Sequence, residues 1–283
     1  MQRGGRAEDA DEILRVEREF VQALGGYSIG LSGGTLVLHD HVPVPRFNFA
    51  TVAQVGPLRQ TAFFERALDQ YFQRALRPTF RVARPVPPHV ARTLVRLGFR
   101  PRSEPLDLLI GRRPGPRVPT AAELVADEEI ESAEIARRWM TDRERPELTA
   151  ALETLRSHPN PDERLLPVVA RLGGAPAATA LVYRHRTTAT LFGVITDPSV
   201  RGRGLASALT DWVRRARPLG RTVRYTIISE NPRLTRRLRA MGFDRVRSLA
   251  VYELPDGAIL ETPALGPPGP PRWRPPRTAV PGG

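Results

Sequence analysis

Apolar runs of strand type alternate with segments of helical spacing through the second half of the chain. Thr190-Leu191-Phe192-Gly193-Val194-Ile195 is a continuous β-prone run. Beyond Arg201-Gly202-Arg203-Gly204, residues Leu205, Ala208, Leu209, Trp212, Val213 and Ala216 recur at the spacing of one helix face. Arg224-Tyr225-Thr226-Ile227-Ile228 reads as the next strand and ends at Glu230. Asn231-Pro232 then supplies an N-cap and a first-turn proline. Gly242 ends that helix in a left-handed conformation, and a strand over Ser248 to Leu254 closes the unit.

The first half echoes this order. Leu94-Val95-Arg96-Leu97-Gly98-Phe99 parallels Leu238-Arg239-Ala240-Met241-Gly242-Phe243, and Gly98 against Gly242 sets an offset of 144 residues. Carried back, the offset brings Ala206 onto Ala62, ahead of an amphipathic stretch from Phe63 to Leu76, and Val223 onto strand-like Thr79. Two supersecondary units in the same order predict a tandem duplication. The fold class read from the sequence is α/β, two tandem domains each with a mixed sheet flanked by helices. The domains span 8–112 and 119–255, with a Pro/Gly-rich linker at 113–118. Proline density over 256–283 excludes helix and sheet interior, so an extended or disordered tail is expected there, with Trp273 between two arginines inside it.

Strand, glycine turn and helix in succession suit an anion. The glycines let the backbone approach a ligand, and the first-turn N–H groups point at it. The chain has no lysine, which excludes the lysine-bearing phosphate loop. A third glycine near Ser207, needed for the dinucleotide fingerprint, is absent as well. Arg201-Gly202-Arg203-Gly204-Leu205-Ala206 instead resembles the acetyl-CoA motif R/Q-x-x-G-x-G/A of the GCN5-related N-acetyltransferase (GNAT) family. Together with the downstream order of elements, the resemblance covers roughly residues 119–255.

The resemblance implies an N-acetyltransferase that moves an acetyl group from acetyl-CoA to a primary amine by direct attack in a ternary complex. Arg201, Gly202, Arg203, Gly204, Leu205 and Ala206 are the implied pyrophosphate residues. The strand end Val194-Ile195-Thr196 is implied to splay from its neighbour and offer its amides to the acetyl carbonyl and pantetheine, and Asn231 to touch the pantetheine arm. The tyrosine that the family often supplies seven residues past the Asn is replaced by Leu238. Tyr225 and Tyr252 are substitutes that also read as packed strand residues. Glu230 is the first candidate for the base and Asp197 the second, with water a third proton carrier. Acceptor contacts are expected within 126–160. The first copy carries Pro57-Leu58-Arg59-Gln60-Thr61-Ala62 in place of the glycine motif and Pro87 in place of Asn231, so it reads as a degenerate copy.

Composition narrows the classes further. With 43 arginines the formal net charge is +13, which by itself supports an arginine-rich nucleic-acid binder. Aromatic interleaving is sparse and no helix is uniformly basic, so nucleic acid is disfavoured as a partner. Zero cysteine excludes disulfides and a cysteine nucleophile. No apolar run approaches the roughly 18 residues of a membrane span, and the N-terminus has no secretion core, so the cytoplasm is expected. His39-Asp40-His41 lies in a turn-rich stretch without a third ligand nearby, and no metal is expected. The reading from another class is a CoA-binding regulatory pseudoenzyme, which the missing tyrosine supports.

Overall fold

The computed structural model describes residues 3–53, 56–111, 118, 120–126, 149–150, 152–153, 163–216 and 224–255. The tail at 256–283 and, Val118 excepted, the linker at 113–118 lie outside them. The contacts divide the chain into two compact units. One comprises Met1–Tyr27 and Glu104–Ser248; the other comprises Ser28–Ser103 and Leu249–Gly283.

The first of these units is a mixed sheet. Its strands are β6 (Leu106–Gly111), β7 (Glu123–Ala126), β8 (Glu163–Leu172), β9 (Ala175–His185), β10 (Thr188–Thr196), β11 (Arg224–Ser229) and the opening residues of β12 (Phe243–Glu253). They follow the order β12-β6-β11-β10-β9-β8-β7. β10 and β11 run parallel, whereas β9 on β10 and β6 on β11 are antiparallel. Helices α4 (Leu205–Ala216) and α5 (Pro232–Ala240) cover one face, where Leu205, Leu209, Val213 and Leu238 join Leu191, Val182 and Ile227 in a buried core. Alternation along the strands sends Phe192 to the other face. There helix α1 (Arg3–Ala23) packs, with Phe20 stacked on Phe192 at 4.2 Å.

The other unit holds β1 (Tyr27–Leu31), β2 (Gly34–Leu38), β3 (Phe49–Val52), β4 (Thr79–Ala83) and the closing residues of β12, in that order, with the short β5 (Arg100–Pro101) also on β12. Its core is aromatic: Phe63, Phe64, Phe80 and Phe99 meet edge to face at 5.0–6.3 Å. Phe63 and Phe64 belong to α2 (Pro57–Gln73), and α3 (Pro88–Arg96) adds buried Val90 and Leu94.

The duplication predicted from the sequence is visible element by element. α3 and α5 begin and end at the same offset, and each runs into a glycine with φ of +86° followed by a buried phenylalanine, Phe99 or Phe243. Both copies also place a parallel strand pair ahead of that helix, β3 with β4 and β10 with β11.

The division at 113–118 differs from the one the contacts make. Helix α1 and strand β6, both from the first half of the sequence, lie in the unit that holds the second half. β12 contributes in turn to both units, since Leu249–Glu253 pairs with β4. Composition marks where a chain is free to turn, but strand pairing over long separations decides which sheet a strand completes. The Pro/Gly-rich linker therefore says nothing about where β6 goes.

Candidate functional site

Val194, Ile195 and Thr196 end β10, and Glu230 and Asn231 follow β11 directly. Because these two strands are parallel, both groups fall at one end of the pair. That is the end at which open parallel sheets bind ligands. The parallel register runs from Thr188↔Arg224 to Leu191↔Ile227 and goes no further, although both strands continue. β10 stays paired on its other side, where Ile195↔Thr179 and Thr196↔Ala178 follow a register shift after Phe192↔Leu181. The extra residue is a β-bulge centred on Gly193, whose φ is +54°. The parallel pairing with β11 thus ends ahead of Val194-Ile195-Thr196, and the bulge against β9 lies just past the last parallel pair.

The turn after β10 is built from local hydrogen bonds. The carboxylate of Asp197 accepts from the Ser199 amide at 2.9 Å and the Ser199 hydroxyl at 2.6 Å, opening a short 3-10 turn over Pro198–Val200. Its own amide donates to the Ala177 carbonyl. Asp197 therefore acts as a turn cap, which accounts for its place in the sequence without a catalytic role. The Arg201 side chain donates through Nε to the Thr196 carbonyl at 3.3 Å, folding the turn back on the strand end. Arg201, Gly202 and Arg203 are exposed. Gly202 and Gly204 have φ of +86° and +78°, and a Cβ at either would meet no protein atom within 4 Å. Their left-handed backbone demands glycine, and the turn is open on the side where a Cβ would stand. Helix α4 starts at Leu205, which is buried, and Ala206 is half-buried beside it.

Asn231 caps α5: its Oδ1 accepts from the amides of Arg233 at 2.9 Å and Leu234 at 3.3 Å. This holds the exposed side chain in place and directs Nδ2 as the remaining donor. Glu230 is half-buried. On α5, Thr235 and Leu238 are buried, while Arg233, Arg236, Arg237 and Arg239 are exposed. Leu238 is 0% exposed and belongs to the hydrophobic core. Tyr225 and Tyr252 are buried on their strands, and burial pushes the Tyr252 phenol above its ordinary value. Most of the stretch 126–160 expected to meet the acceptor lies outside the described residues.

The first copy lacks this arrangement more thoroughly than its composition predicts. By the offset, Pro57 to Gln60 stand where Arg201 to Gly204 form the turn, yet they are the opening turn of α2. Only residues 53–56 separate β3 from that helix, whereas 197–204 separate β10 from α4. Gln60 is buried and its Nε2 donates to the Ala53 carbonyl at 3.3 Å. Among the described residues no bulged strand end and no glycine turn stands there. Leu58 is 89% exposed.

His39 is buried as part of a turn, with Nδ1 accepting from the amides of His41 and Val42 at 3.3 and 3.2 Å. Asp40 pairs with Arg74 at 3.2 Å. Among the described residues no group of three His, Cys, Asp or Glu side chains is placed to hold a metal. No described helix is long and apolar enough to cross a membrane.

Residues 115–227 match the family model described as an acetyltransferase (GNAT) domain. Among solved structures, the chain is similar to a GCN5-related N-acetyltransferase from Kribbella flavida, with a TM-score of 0.61 and 20% identity over 86% of this chain and 95% of that one. A tandem GNAT protein from the clavulanic acid biosynthesis pathway gives a TM-score of 0.52 and 18% identity over 78% of each chain. A GCN5-related N-acetyltransferase from Sphaerobacter thermophilus gives 0.54 and 17%, over 78% of this chain and 80% of that one. No curated protein matches the sequence. At such identities the likeness carries the fold, and the family model carries the domain. Residues 115–227 thus match an acetyltransferase (GNAT) domain, and the fold is similar to that of GNAT proteins, a tandem one among them.

Proposed function

We propose that the protein is an N-acetyltransferase that uses acetyl-CoA as co-substrate and a primary amine, on a small molecule or a peptide, as acceptor. The observation that carries this is the parting of β10 from β11 after Leu191↔Ile227, with the glycine turn and the N-terminus of α4 at the same end of the strands. The open turn at Gly202 and Gly204 fits a pyrophosphate, with Arg201 and Arg203 adding positive charge and the amides of Leu205 and Ala206 adding donors. The Asn231 amide, fixed by its capping bonds, offers Nδ2 to a carbonyl of the pantetheine arm.

Bound acetyl-CoA supplies an activated thioester. The amine nitrogen forms the new bond to the acetyl carbon, the C–S bond breaks, and the sulfur leaves as thiolate. Backbone amides of Val194-Ile195-Thr196 donate to the carbonyl oxygen as negative charge gathers on it. Glu230 accepts the proton that the amine must lose, and the thiolate is protonated from solvent, since Leu238 has no proton to give. Calorimetric titration with acetyl-CoA, followed by thiol release with a panel of amines, tests this reading. One equivalent bound per chain and thiol release with at least one amine are expected. No binding would overturn it, and two equivalents would show that the first copy also binds acetyl-CoA.

The burial of Leu238 in the core favours a second reading. A CoA-binding regulator retains the glycine turn and Asn231 but transfers nothing. Tight binding without thiol release across the whole amine panel would select it.

A further inference from the structure

Helix α1 comes from the far end of the sequence, yet it packs in the unit that carries the glycine turn. Its Phe20 is 1% exposed and its ring lies 4.2 Å from that of Phe192, 13° from parallel. Tyr183 on β9 closes the same slot at 5.2 Å. Phe192 is the last residue of β10 in register before the bulge, and pairing with β9 resumes at Ile195.

A bulge is defined by which side chains go to which face. Phe192 enters the aromatic slot on the α1 face, and Val194 packs against the core under α4. Gly193, between them, has no side chain to place. Moving the extra residue one position earlier would swing Phe192 out of its slot and toward the opposite face, and moving it past Val194 would take Val194 off the core. The stack on Phe192 and the packing of Val194 therefore together select one bulge position.

We infer that Phe20 is a positioning residue for acetyl transfer, setting through Phe192 the direction of the backbone amides at Val194-Ile195-Thr196. This rests on the acetyltransferase reading. It gives α1 a role in the site that the glycine motif does not announce.

Infrared difference spectroscopy of the full chain with acetyl-CoA carrying a 13C-labelled carbonyl tests it, alongside calorimetric affinity. Wild type should lower the carbonyl stretching frequency of the bound thioester, because the amides polarise that bond. Phe20→Ala should lose the shift while its affinity changes by no more than about twofold, since the pyrophosphate turn is untouched. If Phe20→Ala fails to fold, Phe20→Leu, which preserves most of the volume, is read by the same two measurements. Val16→Ala, one helical turn away on α1 and also buried, should keep the shift. A shift retained without the Phe20 ring, or lost equally in Val16→Ala, overturns the positioning role alone. A wild type that binds no acetyl-CoA overturns the acetyltransferase reading and this inference with it.

Discussion

The hydroxyls of Thr190 and Thr226 lie 2.7 Å apart across β10 and β11, both 0% exposed. They are register partners, one step before the last parallel pair, Leu191↔Ile227. Thr226 also donates to the Ala189 carbonyl at 3.3 Å. Immediately beyond this polar lock the strands part, so the two threonines mark the base of the candidate cleft.

Replacing one partner strands the other. Thr226→Val should destabilise the protein by about 1–3 kcal/mol, because the Thr190 hydroxyl is left buried without its partner. The Thr190→Val, Thr226→Val double variant should lose less than the sum of the two singles. Denaturant unfolding of the four proteins measures the difference, and strict additivity would show the contact to be idle.

Gly204→Val separates binding from folding. A residue other than glycine at φ +78° costs about 1–2 kcal/mol in backbone strain. Its side chain meets no protein atom at Cβ, so the core stays packed and a lowering of Tm by a few degrees is expected. The same side chain fills the ligand's space, and acetyl-CoA affinity should fall by about tenfold or more, or 1.4 kcal/mol. Unchanged affinity by calorimetry would remove this turn from the site.

Leu238→Tyr is expected to destabilise rather than activate. Leu238 is fully buried in the core under α5, and overpacking such a position costs about 1–3 kcal/mol. Thermal unfolding should show the loss, and thiol release should not rise. Glu230→Gln, at a half-buried strand end, should leave stability near wild type and lower turnover mainly below the acceptor amine's pKa. A base matters most when the amine arrives protonated. A pH–rate profile unaltered by Glu230→Gln would exclude it as the base.

Acid should weaken the attachment of α1. Burial raises the Glu12 carboxyl pKa, but hydrogen bonds from Arg15 and Thr188 and the nearby charges of Arg15 and His185 outweigh it. The net result lies below the ordinary 4.5. A carboxyl depressed in the folded state contributes stability above its unfolded pKa and loses it as pH falls through the folded value. Glu12→Gln should therefore be less stable than wild type at neutral pH, with the gap closing below about pH 4.5. Unfolding curves at several pH values test this, and a gap that widens in acid would contradict it.

Local chemistry carried the glycine turn, the Asn231 cap, the Gly242 stop and the repeat itself, and all four are legible in the sequence. Each depends on residues within a turn or two of one another: positive φ at Gly204 and Gly242, a side-chain oxygen at Asn231, and an apolar stripe at helical spacing. Even the absence of a glycine turn at 57–60 shows there as missing glycines. That Pro57 to Gln60 continue as helix is also local, because proline favours a first helical turn. What the sequence left open is pairing. Ile13, Val16, Phe20 and Leu24 announce an amphipathic helix, but their spacing cannot say which sheet it covers. The strand pattern of Leu106–Gly111 likewise fits beside many partners, and only the tertiary structure seats it on β11. The bulge at Gly193 has the same character. Its position is settled by Phe20 and Val194 from opposite faces, and hydrophobic burial of that kind is non-directional until the whole sheet has assembled.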